Sequence, residues 1–374
     1  MIAPLPAMEV AGRAGRLRAG LDAAGCDALL VTKMVNIRWL TGFTGSAGLV
    51  LVLDDEVVFV TDGRYQDQAA EQLGRAGVEA RVEIGRTGAA QREALSAEAK
   101  GVARIGLEAS SVTWAQQRAF ASKWFPDSEL VATGDLVESL RVTKDDGEVA
   151  RVEAAAAIAS AALDNVRQRL LERPTESEFA LELDTEIRRL GAEGNSFETI
   201  VGSGPNGAKP HARPTERVIG EGDLVVLDFG ALVDGYCSDM TRTMMVGEAT
   251  PTQQRMLDVV TESQAAGVTA VRAGVAAVEV DGACRSVIEA AGWGDAFVHG
   301  TGHGVGLEIH EEPRVSYGSD ATLAAGYVVT VEPGVYLPEH GGVRVEDTVV
   351  VTDDGCRLLT HAPKDPAWPT RPTT

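Results

Sequence analysis

The chain has 374 residues, 44% hydrophobic and 24% charged, which suits a water-soluble globular protein large enough for two domains and a substantial core. Its formal charge is 34 − 55 = −21 with a pI near 4.7, which argues against non-specific contact with nucleic acid or an anionic membrane surface. The opening MIAPLPAMEV has neither a basic region nor an apolar run, and no stretch approaches the roughly 18 apolar residues of a membrane span. Cys26, Cys237, Cys284 and Cys356 are far apart and form no CxxC pair. They read as reduced, mostly buried thiols, and the expected location is cytoplasmic.

Residues 9–24 read as a helix, followed by the strand-like DALLVT. GLVLVL and EVVFVT are two apolar runs separated by Asp54 and Asp55, a hairpin signal. RYQDQAAEQL then reads as a helix, VEARVEI and RIGLE as strands, and TWAQQRAFASKW as a helix. This alternation predicts a small α/β domain over residues 1–143. Beyond it the pattern changes to two long helices, one starting near Asp145, the other capped by Thr175 with Glu178 three residues on. Strands follow around ETIVGS, DLVVLDFG and TRTMMVG, then helices over 251–271 and 275–291. YVVTVEP, GVRVEDTVVV and CRLLT read as closing strands, and PKDPAWPTRPTT as an irregular, exposed tail.

Four carboxylates and one histidine stand out in the last third: Asp228, Asp239, His303, Glu332 and Glu346. Three of the five lie in or just after apolar, β-branched runs, where an ionised acid costs several kcal/mol unless paired or metal-bound. Two divalent ions would cancel four such charges, which suggests a two-metal hydrolytic site. Asp228 and Asp239 are eleven residues apart around Gly230, Asp234 and Gly235, so strand, turn and returning strand would bring them near one another. Taken alone, that pair also fits a solvated hairpin. His299, His303 and His310 have helical spacing, yet Gly300, Gly302, Gly304 and Gly306 oppose a helix and imply backbone passing close to something. Strand alternation puts Arg344 and Glu346 on one face and Val343, Val345 and Asp347 on the other. That arginine is either a surface partner or a group orienting a ligand carboxylate. His211 lies in a loop rich in glycine and proline, from which it could enter a cleft.

In order along the chain, PHARP, DFG, YCSDMTRT, HGTGHGVGLEIHE, TVEPGVY and GGVRVEDTVVV resemble the proline-directed pita-bread metallopeptidases, aminopeptidase P and prolidase. LTGFTGSAG and TDGRYQDQA are similar to aminopeptidase P in particular, and the likeness covers nearly the whole chain. The resemblance implies an α/β (α+β) protein: a small creatinase-like domain, residues 1–143, for dimerisation and substrate gating, then a pita-bread catalytic domain, residues 144–374. It implies Asp228 on one metal, His303 and Glu332 on the other, and Asp239 and Glu346 bridging. His211 and His310 would contact the substrate carbonyl and the tetrahedral intermediate, His299 would lie in the substrate pocket, and Arg344 would support the bridging glutamate. Oxygen-rich ligands favour Mn2+, with Co2+, Zn2+ or Fe2+ as substitutes.

The expected activity is release of the residue before proline from peptides with proline second, an aminopeptidase P-like reaction. The alternative is an Xaa-Pro dipeptidase. A non-catalytic binding module and creatinase-type hydrolysis on the same fold are opposed by the complete ligand set. Nucleic acid and membrane are not expected partners; a homodimer or higher homo-oligomer is.

Overall fold

The computed structural model describes residues 4–366, so most of the predicted irregular tail lies outside the described residues. The chain divides into two compact units, Ala7–Arg141 and Val142–Thr374, the latter also taking Met1–Pro6. The first unit therefore begins a little later than the expected 1–143. Leu5 packs on the apolar core of the second unit, and Arg151 Nη1 donates to Pro6 O at 2.9 Å.

The first unit is one six-stranded sheet with helices. Strands β1 (Ala28–Val31), β2 (Leu49–Val52), β3 (Val57–Thr61), β4 (Arg81–Ile84), β5 (Arg104–Glu108) and β6 (Glu129–Thr133) lie in the order β4-β3-β2-β1-β5-β6. The expected hairpin forms, with Val52 opposite Val57 and Leu53 N donating to Glu56 O. Helices α1 (Arg13–Leu21), α2 (Met34–Thr41), α3 (Gln66–Arg75), α4 (Gly88–Glu98), α5 (Trp114–Ala119) and α6 (Leu136–Arg141) accompany it. The sequence reading missed α2, α4, β6 and α6. α2 has no side-chain N-cap, and five of its eight residues are buried, so no polar stripe marks it.

The LTGFTGSAG segment leaves α2 as a loop whose aromatic side chain faces inward. Trp39, just before it on α2, is 1% exposed, with the Arg13 guanidinium 4.7 Å from its ring. Phe43 is buried too, edge-on to Phe59 and Tyr65 at 4.9 and 5.4 Å. Only the polar end of this loop, joined to Tyr65 through Ser46 Oγ at 2.7 Å, is available at the surface.

In the second unit, α7 (Asp146–Val166) and α8 (Glu176–Arg189) both start with capping boxes, Asp145/Glu148 and Thr175/Glu178. Strands β7 (Gly194–Asn195), β8 (Ile200–Ser203), β9 (Leu224–Phe229), β10 (Ala231–Val233), β11 (Tyr236–Cys237) and β12 (Met240–Met245) form two three-stranded sheets, β12-β9-β8 and β11-β10-β7. Helices α9 (Pro251–Ala270) and α10 (Ala277–Ala290) follow. Strands β13 (Gly302–Gly304), β14 (Glu311–Val315), β15 (Val328–Val331), β16 (Gly334–Leu337), β17 (Gly341–Arg344), β18 (Asp347–Val351) and β19 (Cys356–Leu358) complete it. They make a β14-β13-β15-β18-β19 sheet and the hairpin β16–β17.

Period-two alternation sends side chains to two apolar cores. Val225, Leu227 and Phe229 pack with Leu163 of α7 and Phe179 of α8. Leu224, Val331, Val343, Val345 and Val349 pack with Met256 of α9 and Ile288 of α10. The strands are thus covered by a helix pair on each side, and the acids and histidines of interest gather where strand ends converge.

Two departures matter for that convergence. Asp228 and Asp239 do not sit on one simple hairpin, because β10 and β11 form a separate hairpin between them, turning at Asp234 (φ 45°) and Gly235 (φ 72°). GVRVEDTVVV is not one strand: β17 pairs with β16, then Glu346 N donates to Thr241 O and β18 pairs with β15. Alternation survives the break, with Val343 and Val345 in the core and Arg344 and Glu346 on the opposite side.

Arg242 on β12 fixes this junction. It is 1% exposed and donates to Asp347 Oδ1 (2.9 Å), to the Ala362 carbonyl (2.7 Å) and to the carbonyls of Thr241 and Glu346. Asp347 also receives Gln264, Thr360 and Lys364.

Candidate metal centre

Strand ends and glycine-rich turns open a cavity of about 450 Å3 in the second unit. It is lined by all nine residues singled out from the sequence: His211, Asp228, Asp239, His299, His303, His310, Glu332, Arg344 and Glu346. The histidine tract is extended, as its glycines require. A Cβ on Gly302 would lie 2.0 Å from Thr330 O, and one on Gly304 2.2 Å from Glu312 O.

His303 is 6% exposed, and its Nδ1 lies 3.0 Å from Gly304 O. A carbonyl only accepts, so the proton belongs on Nδ1 and the Nε2 lone pair faces Asp239 Oδ2 at 3.5 Å and Glu332 Oε1 at 3.4 Å. Burial depresses its pKa to about 3, so this lone pair is free across the physiological range. Ligand atoms of Asp239, His303 and Glu346 all lie within 4.8 Å of one another.

The acids are crowded. Asp239 is raised well above the ordinary carboxylate range by burial first and then by Glu346. Glu346 is raised by burial and by Glu332, and burial pushes Glu332 to about 7. Asp228 Oδ1 and Glu346 Oε1 are buried without a hydrogen-bond partner. Two orphaned oxygens beside a neutral imidazole and three proton-hungry carboxylates fit divalent cations, which would satisfy the oxygens and cancel the repulsion.

The remaining contacts orient these groups. Thr241 Oγ1 donates to Glu346 Oε2 at 2.7 Å. Arg344 was expected to support Glu346; its Nη2 binds Asp228 Oδ2 at 2.6 Å, and its Nε donates to Thr241 Oγ1, so it reaches Glu346 through that threonine. The strand break after Arg344 turns Glu346 toward β12. Arg344 Nη1 donates to Tyr336 Oη (2.8 Å), which lies 2.9 Å from His299 Nε2. On α10, Asp281 accepts from Thr301 N and Oγ1 and pairs with Arg285, which donates to His299 O at 3.0 Å.

Sequence reasoning passed over Thr241, Asp281, Tyr336 and Arg314. Thr241 lay inside a quoted motif, and its alternation with Asp239 was a usable signal. Tyr336 closed the quoted TVEPGVY motif but its role, like that of Asp281, depends on contacts between distant elements. Arg314 lines the cavity, and among the described residues its guanidinium makes no hydrogen bond or ion pair.

Residues 150–353 match the metallopeptidase family M24 model, and residues 13–143 the creatinase/prolidase N-terminal domain. An uncharacterized peptidase of Bacillus subtilis, YqhT, is 41% identical over 94% of this chain and 98% of its own. An Xaa-Pro dipeptidase of Pyrococcus furiosus is 33% identical over 92% and 96%. Among solved structures, an Xaa-Pro dipeptidase from Bacillus anthracis superposes with a TM-score of 0.90 at 39% identity, covering 94% of this chain and 98% of that one. An X-Pro aminopeptidase from Thermotoga maritima gives 0.85 at 33%, covering 91% and 97%. No helix of the described residues is long and apolar enough to cross a membrane, and all four cysteines are free. With an acid-rich, metal-suited cleft in the matched region and family agreement over both units, the chain belongs to metallopeptidase family M24 and carries a creatinase/prolidase-type N-terminal domain.

Proposed function

We propose that this enzyme hydrolyses the Xaa-Pro peptide bond with two divalent cations, Mn2+ by preference, held by Asp228, Asp239, His303, Glu332 and Glu346. The observation that carries this is the pair of orphaned carboxylate oxygens within a cluster of acids whose affinity for protons is raised. Bound there, the cations would acidify a water and polarise the scissile carbonyl. Arg344 aims Asp228, and Thr241 does the same for Glu346. His303 offers Nε2 without needing to lose a proton. His310, lowered by burial and by Arg314, is neutral near pH 7 and retains one N–H to donate to a developing oxyanion. His211, exposed to the same cavity, is placed to bind the substrate carbonyl. An Xaa-Pro bond is a tertiary amide without an N–H, so positioning must come from the carbonyl and the ring rather than from that hydrogen.

Metal analysis and turnover of three variants test the division of roles. His303→Ala should lose metal. His211→Ala and His310→Ala should keep it, yet fall about 10²- to 10³-fold in kcat. Equal metal loss in all three contradicts the assignment.

Substrate length has two readings. The LTGFTGSAG and TDGRYQDQA motifs favour an aminopeptidase acting on longer peptides. Arg314 favours dipeptides, because an unpaired guanidinium in the cavity suits a carboxylate immediately after proline. We take the dipeptide as the better substrate. Arg314→Met should then raise KM for Ala-Pro about 10- to 100-fold and leave Ala-Pro-NH2 nearly unchanged. Higher kcat/KM on Ala-Pro-Ala than on Ala-Pro, with Arg314→Met indifferent to both, would establish the aminopeptidase instead. The first unit contributes no residue to the proposed ligand set, and its proposed work is dimerisation and limiting substrate length. Sedimentation of the full chain as a monomer removes the dimer from this proposal.

A further inference from the structure

His211 stands in a loop that runs from Ser203 to Thr215, and among the described residues its ring makes no hydrogen bond. With no hydrogen bond on the ring, the course of the loop is what carries the imidazole to the cavity. The tip of the loop is held at one point, where Arg344 Nη1 donates to Pro210 O at 3.1 Å. Its neck is held by a residue far from the chemistry. Glu176, the first residue of α8, is 0% exposed and takes no metal-side contact. Its Oε1 accepts from Ser203 N (2.8 Å) and Ser203 Oγ (2.7 Å), at the start of the loop. Its Oε2 accepts from Thr215 N (3.0 Å) and Thr215 Oγ1 (2.6 Å), at the end. Asn206 Nδ2 donates to both oxygens. One carboxylate thus closes both ends of the loop. Beside it, a Cβ on Gly342 would lie 1.9 Å from Gly207 O, so the closed neck is seated directly on the β16–β17 hairpin that delivers Arg344.

We propose that Glu176 is a positioning residue for catalysis: by closing the neck of the Ser203–Thr215 loop it fixes where His211 meets the substrate. This rests on the reading of His211 as a substrate-contacting group. A neutral amide in place of the carboxylate keeps the volume but offers one acceptor oxygen where two are used, and turns an NH2 toward existing donors. This side chain can then no longer hold both sides of the neck, which leaves Ser203 to its pairing with β9 and Thr215 to Ser177 N.

The test combines Glu176→Gln, His211→Ala and the double variant, each loaded with Mn2+ and assayed on Ala-Pro, with amide hydrogen exchange over residues 203–215. Glu176→Gln should keep full metal content, exchange faster across the loop, and lose about 10- to 100-fold in kcat. The double variant should be no slower than His211→Ala alone, because the glutamate acts through that histidine. Multiplying losses in the double variant, or unchanged exchange, overturns the proposal while leaving the role of His211 intact. If His211→Ala is as fast as the parent, the reading of His211 fails and the proposal with it. Should Glu176→Gln not fold, Thr215→Val removes one donor to the same carboxylate. It should shift exchange and kcat in the same direction by a smaller factor, and no shift in either overturns the proposal.

Discussion

Replacing Asp239 or Glu346 with alanine is expected to lower kcat/KM by at least about 10³-fold, near 4 kcal/mol of barrier, because either change removes a carboxylate proposed to be shared by both cations. The same substitution should not weaken the metal-free fold. In the parent, Asp239 is raised by burial and by Glu346, so removing Glu346 relieves repulsion as well as desolvation. The sign with pH follows from Glu332. Its carboxyl is raised from 4.5 to about 7, so the metal-free fold holds a proton that the unfolded chain has released, and stability from this group falls as pH rises through that interval. Metal uptake must displace such protons, so calorimetry in buffers of different ionisation enthalpy should show proton release at pH 6.5 that shrinks above pH 8. His303 adds nothing to that count, being neutral above about pH 3. Metal-free Glu346→Ala at pH 8 should melt at or above the metal-free parent. Retained activity with two metals per chain would sink the bridging assignment, and a lower melting temperature would refute the account of repulsion.

Arg242→Met should be the most damaging change to stability away from the metal ligands, costing about 3–5 kcal/mol, because it strips a charge partner from fully buried Asp347. It also leaves the carbonyls of Glu346 and Ala362 without this donor. For a unit of this size that corresponds to roughly 10 °C in melting temperature. Arg242→Lys keeps the charge but loses the planar fork, and should fall between the two. Lys364 and Gln264 still reach Asp347 in either variant, which sets the lower end of the range. Thermal unfolding of the metal-loaded proteins reads the effect; a shift under about 1 kcal/mol would show that those two partners suffice.

How much of this was legible in the sequence depends on whether a feature is local. The capping boxes at Asp145 and Thr175, the hairpin after Val52 and the extended histidine tract are written in neighbouring residues, and each formed as expected. α2 was missed because a helix buried over most of its surface has no amphipathic stripe. Eight of the nine site residues could be picked out because acids in apolar runs and histidines in glycine-rich segments are locally anomalous; Arg344 was found by its alternation with Glu346. Their partners could not. Arg344 binds Asp228 directly and reaches Glu346, two residues away, only through Thr241, since a strand changed neighbours between them. Glu176 looked like the start of a helix and nothing more.

The break between β17 and β18 also sets a timetable for synthesis. The hydrogen bond from Thr241 to Glu346 spans 105 positions, and the Arg242 contact to Ala362 spans 120. The sheet of the first unit needs nothing beyond Thr133, so it can close while the second unit is still being made. The acids that repel one another meet only when the last strands arrive, and those strands also bring apolar partners for α9 and α10. Their mutual repulsion is therefore met in the same step that buries the second apolar core, and a cation would find its full set of ligands only after that step.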